Sequence, residues 1–197
     1  MTAFITVADV KAQLNINDSN SDAELSDYVD AACDEVEQWV GPMLPLTVTG
    51  EFVDLMGRTI YNELTTAGTR AFVLRHRPVQ SIQAVSSAII SGVTYDPGDF
   101  IIDTATGIVR RKDGGTIFGP LTVDYTAGYV TPGGTAPAWA RLAAKIIAQH
   151  LWRTQRAAVA APSQMGDVTA VVPGFGFAVP NMAAELMESH RLVPAVG

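Results

Sequence analysis

Along the first forty positions, apolar residues recur at helical spacing behind two capping signals. Thr6-Val7-Ala8-Asp9 has the spacing of a reciprocal N-terminal cap, and Val10 and Leu14 follow on one face, which predicts a short helix. Asn15 to Asn20 reads as a polar turn. Ser21-Asp22-Ala23-Glu24 repeats the capping pattern and opens a longer helix, in which Leu25, Tyr28, Val29, Ala32, Val36 and Val40 share one side. Gly41-Pro42 ends it. Asp27, Asp30, Asp34 and Glu37 lie mostly off that stripe, so the helix is expected to bury one side and turn an acidic side outward. Cys33 sits beside the stripe without a basic neighbour, which suits a packed thiol better than a reactive one.

From about residue 46 the period changes. Short β-rich segments alternate with turn residues, among them Glu51 to Leu55, Arg70 to Arg75 and Leu121 to Tyr125. Asp103 to Gly107 is a turn sequence that joins Phe100–Ile102 to Ile108–Arg110 in an expected hairpin. No long helical pattern separates these segments, which favours an antiparallel sheet over a doubly wound nucleotide-binding fold.

Past the glycine-rich loop of residues 128–134, Pro137 sits in the first turn of a third helix, where its missing amide costs nothing. Trp139, Leu142, Ala143, Ile146, Ile147, His150 and Leu151 form its expected buried side, with His150 packed rather than ligating. Arg141, Lys145, Gln149, Arg153 and Arg156 take the other side. Residues 157–180 are rich in Ala, Val, Gly and Pro, with almost no charge, and read as an extended arm. Gly174-Phe175-Gly176-Phe177 and Pro180 precede a short helix from Asn181 to His190 that carries Met182, Leu186 and Met187. So short a helix must dock on its own subunit or on another to persist.

These elements describe an α+β protein: a small bundle of three main helices, an inserted antiparallel β region, and an arm ending in a short docking helix. The expected division is 1–45 for the helical pair, 46–130 for the β region, 131–157 for the third helix and 158–197 for the arm. The 197 residues suffice for a real core, and no run approaches the ~20 apolar residues that span a bilayer. The N-terminus lacks the basic region of a secretion signal, so an unexported protein is expected.

Charge changes the picture more than composition does. The net charge is −7, and residues 1–56 hold eleven carboxylates against Lys11 alone. A protein that grips nucleic acid needs a dense basic patch, and only Arg75-His76-Arg77 and Arg110-Arg111-Lys112 come near one. Both read as solvated strand ends or as an interface with an acidic partner. Phosphate-binding glycine loops, zinc-binding histidine pairs and nucleophile elbows are all missing from the sequence. Three scattered histidines and one cysteine give no metal spacing, and the carboxylates of the second helix fan around its surface. No catalytic, cofactor or metal residues are therefore assigned.

The order of elements carries a resemblance. Ile5 to Leu14, the polar turn and the acidic helix closing at Trp39-Val40-Gly41-Pro42 resemble the opening of the head-tail connector proteins of tailed bacteriophages. Arg77-Pro78-Val79 leading into Ile82, the run Val123 to Tyr129, Pro137, the helix end His150 to Arg153 and the arm ending Gly176 to Asn181 extend it over nearly the whole chain.

The resemblance implies a structural virion protein of the neck, made in the host cytoplasm, with no reaction to catalyse. It would form a ring, commonly of twelve copies, between the portal and a tail-completion or stopper protein. Genomic DNA would pass through the lumen without sequence-specific binding, and no membrane is involved. Another neck role, such as a tail terminator or stopper, is the alternative. Phe175, Phe177, Pro180, Met182, Leu186 and Met187 are the expected contacts to portal or a neighbour. Glu24, Asp27, Asp34 and Glu37 against Arg141, Lys145, Arg153 and Arg156 form the expected contact between subunits.

Overall fold

The computed structural model describes residues 3–54, 70–88, 92–118, 120–157 and 179–192. The fold is α+β. Its elements are α1 (Val7–Leu14), α2 (Asp22–Val40), β1 (Leu46–Val53), β2 (Ala71–Val73), β3 (Val79–Ser87), β4 (Thr94–Tyr95), β5 (Phe100–Ile102), β6 (Ile108–Arg111), β7 (Leu121–Ala127), α3 (Ala138–Ala157) and α4 (Asn181–Glu188). They sort into two compact units. One takes the described residues up to Val40 and from Ala136 to Arg191, and the other takes those from Gly41 to Thr135 together with Leu192.

The helical unit starts as its capping signals dictate. The Thr6 hydroxyl accepts the Asp9 amide at 3.2 Å, and the Asp9 carboxylate accepts the Thr6 amide at 2.9 Å, so two orphan donors are satisfied reciprocally. In α2 the buried residues are Leu25, Val29, Ala32, Cys33, Val36 and Val40, the stripe that its spacing predicts. Tyr28 is half-buried on the rim of that stripe, edge-on to Trp152 of α3 at 6.4 Å.

The third helix departs from expectation. Its fully buried positions are Ala140, Ala143, Ala144, Ile147 and Ala148, while Leu142 is 44% exposed and His150 is exposed rather than packed. The helix is rotated so that its alanines, not its largest side chains, meet the bundle. Small side chains at a crossing let helix axes approach more closely, and that extra contact outweighs leaving one leucine wet.

In the β unit, one sheet has the order β1-β7-β3-β4 and the other β2-β6-β5, with every pairing antiparallel. The expected β5–β6 hairpin is present. Strand β7 is bonded on both sides and alternates strictly, burying Leu121, Val123, Tyr125 and Ala127. These pack with Phe72, Val79, Val85, Phe100 and Val109 from the other strands, and with Leu74 just past β2, into one core. Phe100 lies edge-on to both Phe72 and Tyr95.

Two glycines permit the chain's return across this unit. Gly41 has φ +93°, and a Cβ there would sit 2.0 Å from the Arg77 carbonyl oxygen. Gly128, at φ +136°, would bring a Cβ to 2.5 Å from the Leu44 carbonyl oxygen.

Tyr125 brings a hydroxyl into the apolar core, and the group is fully satisfied there. It donates to the Glu51 carboxylate and accepts the His76 amide at 3.0 Å. Burial, and then the hydrogen bond to the Glu51 carboxylate, push its pKa well above the ordinary phenol value. Tyr125→Phe should cost about 2 kcal/mol, because the carboxylate and the amide both lose a partner. Urea titration against wild type checks this, and an unchanged midpoint would contradict it.

Candidate interface surfaces

Among the described residues no group of three or more His, Cys, Asp or Glu side chains could hold a metal ion. What the helices and strands position instead are outward faces.

The C-terminal face is built on α4. Ala183 and Met187 are fully buried, Leu186 and Pro180 are half-buried, and Met182, on the other side of the helix, is 62% exposed. The helix packs against α3 and, less extensively, α2. Two ring contacts follow it. His190 stacks on Trp139 with centroids 4.0 Å apart and planes 7° from parallel, and the Arg191 guanidinium lies 5.1 Å from the centre of the Trp39 ring. The short helix therefore docks on its own subunit, with Met187 as an anchor and Met182 facing out. Phe175 and Phe177 lie outside the described residues.

The acidic face belongs to α2. Asp27 and Asp30 are exposed, whereas Glu24, Asp34 and Glu37 are half-buried. Several neighbouring acids are already engaged: Glu24 accepts the Tyr28 hydroxyl at 2.8 Å, Glu35 accepts the Trp39 indole N–H at 3.0 Å, and Asp22 pairs with Lys11 at 2.6 Å. Burial, with a smaller contribution from the Glu37 and Asp30 charges, pushes the Cys33 thiol up, so this cysteine is packed and unreactive.

The cations of α3 divide. Arg141 and Lys145 are half-buried on the side of α3 that approaches α1, beside Asp9. Gln149, one turn on, accepts a 2.9 Å hydrogen bond through its Oε1 from the Gln13 Nε2 of α1. Hydrogen bonds from Thr6, and then the Lys145 and Arg141 charges, hold the Asp9 carboxyl below its usual range. Arg153 is exposed, and the side chain of Arg156 lies outside the described residues.

A further face joins the basic runs at Arg75 and Arg110, read from sequence as solvated strand ends or an interface with an acidic partner, to apolar side chains that the sequence reading did not single out. The outward side of β2-β6-β5 carries Val73 and Ile101, 54% and 55% exposed, together with exposed Arg110 and half-buried Ile108. The signal was available in Arg70 to Arg75, where both alternating sets, Ala71 with Val73 and Phe72 with Leu74, are apolar. A strand apolar on both sides is expected to be covered on both sides.

Comparison with known proteins adds two findings. A family model described as head completion protein matches residues 3–193. Among solved structures, a chain from the neck of an empty GTA particle computed with C6 symmetry aligns at TM-score 0.56 and 18% identity, covering 100% of this chain and 96% of that one. A chain from the neck of a native GTA particle computed with C12 symmetry aligns at TM-score 0.50 and 19% identity with the same coverage. No curated protein matches the sequence.

Two outcomes follow from the geometry. Met187→Ala should destabilise the protein by about 2–5 kcal/mol, while Met182→Ala should leave thermal unfolding nearly unchanged. Equal effects would contradict the docking of α4. For Asp9, a carboxyl held low in the folded state adds stability that is full above its unfolded pKa and is lost as pH falls through the folded value. The stability gap between wild type and Asp9→Asn, measured by urea titration, should therefore be constant near neutrality and shrink below about pH 4.

Proposed function

The chain belongs to the head completion protein family, and from that premise we propose that it is a structural ring adaptor in the neck of a tailed, phage-like particle. In this reading twelve copies sit beneath the portal, receive a tail-completion or stopper protein on the opposite side, and extend the channel for genomic DNA. The protein works by presenting surfaces to neighbours, with no turnover and no cofactor.

The observation that carries the reading is the extent of the family match, which runs through both the helical and the β unit. Whole-length likeness in fold to chains from GTA necks supports it, and a ring of twelve satisfies both the sixfold and the twelvefold symmetry of those particles. The surfaces suit the role as well. A net charge of −7 disfavours adhesion to DNA in transit. The acidic side of α2, with Glu24, Asp27, Asp34 and Glu37, supplies one half of the contact around the ring, and Arg153 projects outward at the far end of α3. The portal-facing end comprises Phe175, Phe177, Pro180 and exposed Met182, while Met187 holds α4 to its own bundle.

A reconstruction of the intact neck tests the reading. Density for this chain between portal and tail in a closed ring is expected, whereas density on the tail side of another connector would assign a stopper or terminator role. Phe175→Ser, Phe177→Ser and Met182→Ala combined should leave the melting temperature of the subunit unchanged. The same variant should give DNA-filled heads without tails, and incorporation at the wild-type level would remove this end from the portal contact.

A further inference from the structure

We propose that the outward face of β2-β6-β5 is the cationic half of the contact between neighbouring copies, and that its occupant is the α2 acidic face of the next copy. The proposal rests on the ring reading above and names the surfaces that close the ring.

The sheet face is laid out by register. Ala71, Arg110 and Ile101 lie side by side across the three strands, because Ala71 pairs with Arg110 and Arg110 with Ile101. Val73 and Ile108 form the next row. The β2–β6 ladder continues through the Leu74 amide to the Gly107 carbonyl at 3.0 Å, and the exposure pattern continues with it: Leu74 is buried and Arg75 is exposed. The face thus holds two exposed β-branched side chains with a guanidinium at each end. Among the described residues neither Arg75 nor Arg110 has a salt-bridge partner. Asp103, two residues past Ile101 on the same side and exposed, is an acid of this face: its carboxylate accepts the Ala105 and Thr106 amides and also feels the Arg110 charge, so two cations stand against one anion.

The α2 face has the matching layout. Ala23, Asp27, Asp30, Ala31, Asp34 and Gln38 are spaced i, i+4, i+7, i+8, i+11 and i+15, which puts them on one side of the helix. All are exposed except half-buried Asp34. The two alanines leave room for a strand surface, and three aspartates surround them. A helix about 10 Å across covers three strands spaced about 5 Å apart. Asp27 and Asp34 are about 10 Å apart along the helix, comparable with the roughly 13 Å of strand from Ala71 to Arg75.

Sign decides the occupant. Two sheet faces meeting about a twofold axis would bring together two surfaces of net positive charge, and two α2 faces would oppose aspartate to aspartate. Each surface therefore rejects its own copy and accepts the other, which makes the contact heterologous, the type that closes into rings. Among the α3 cations whose side chains are described, Arg141 and Lys145 are half-buried and Arg153 is exposed, a single charge against three aspartates. Two arginines are also too few to hold DNA at physiological salt.

The test is a charge exchange on the full-length chain, read as copies per purified particle by quantitative mass spectrometry. Arg75→Glu with Arg110→Glu should lower incorporation at least about tenfold, as should Asp27→Arg with Asp34→Arg. All four substitutions together should restore it to within about twofold. Undiminished incorporation of either pair, or no recovery in the combined variant, overturns the sheet-to-helix contact and leaves the ring reading intact. Absence of the wild-type chain from particles overturns the ring reading and this contact with it. As a second measurement that tolerates the native charges, Ile101→Cys with Asp30→Cys should give a ladder of disulfide-linked multimers on mild oxidation of particles. Monomers alone would overturn the proposal.

Discussion

The helical unit is organised by the alanines of α3. Ala140, Ala143, Ala144 and Ala148 are fully buried around Ile147, and their small side chains allow close packing of the neighbouring helices. The rotation that buries them settles both flanks. On one flank Trp139 becomes the platform on which His190 stacks, fixing the end of α4. On the other flank Arg141 and Lys145 come beside Asp9 of α1. The Arg141 and Lys145 charges reach the Asp9 carboxylate of the α1 cap, and Lys11, which pairs with Asp22, is the one basic residue near the α2 acids in sequence. The outer side of α2 is thus left acidic, with Asp27 and Asp30 exposed.

The β unit meets the same problem from the opposite sign. Its core is completed by β7 and by the satisfied Tyr125 hydroxyl, so nothing further needs to be buried for stability. Yet β2 and β5 carry apolar side chains outward as well as inward, at Val73 and Ile101. Exposed single hydrophobes are ordinary, but two β-branched residues on adjoining rows flanked by exposed arginines make a compact amphiphilic surface. Each unit finishes its own interior and leaves one face whose chemistry is incomplete.

Much of this was legible from residue order, and the failures have identifiable causes. The Thr6–Asp9 cap, the buried side of α2, its stop at Gly41 and the β5–β6 hairpin all follow from local rules, because the interactions that fix them span a few residues. Strand β3 falls inside the β region expected from sequence, but no local pattern marks its bounds. Its run Val79 to Ser87 shifts register against β7 twice, between Val79 and Ser81 and between Ile82 and Ala84, and each shift breaks the period-two pattern that signals a strand. The face of α3 was misread because alanine counts weakly in any hydrophobic pattern while favouring close helix packing. Leu142 and His150 were therefore expected inside and lie outside. The expected pairing of α2 acids with α3 cations rests on opposite sign, and of its members the structure shows Asp27 and Arg153 exposed and Glu24, Asp34, Glu37, Arg141 and Lys145 half-buried. The aromatics Phe175 and Phe177 fall outside the described residues.

Energetics explain why such surfaces serve an assembly better than a free complex. An exposed aspartate–arginine pair contributes about 0–1 kcal/mol, and covering two half-exposed aliphatic side chains adds roughly 1–3 kcal/mol. Association costs an estimated 4–15 kcal/mol in lost translational and rotational freedom, so one such contact does not hold two free copies together. On a template that already presents the copies side by side, the effective concentration rises into the millimolar range and the same weak contact forms. Closure then engages each copy on two sides, which no open chain of copies achieves at its ends. In the proposed ring, then, the weak contact and the template act together, and neither suffices without the other.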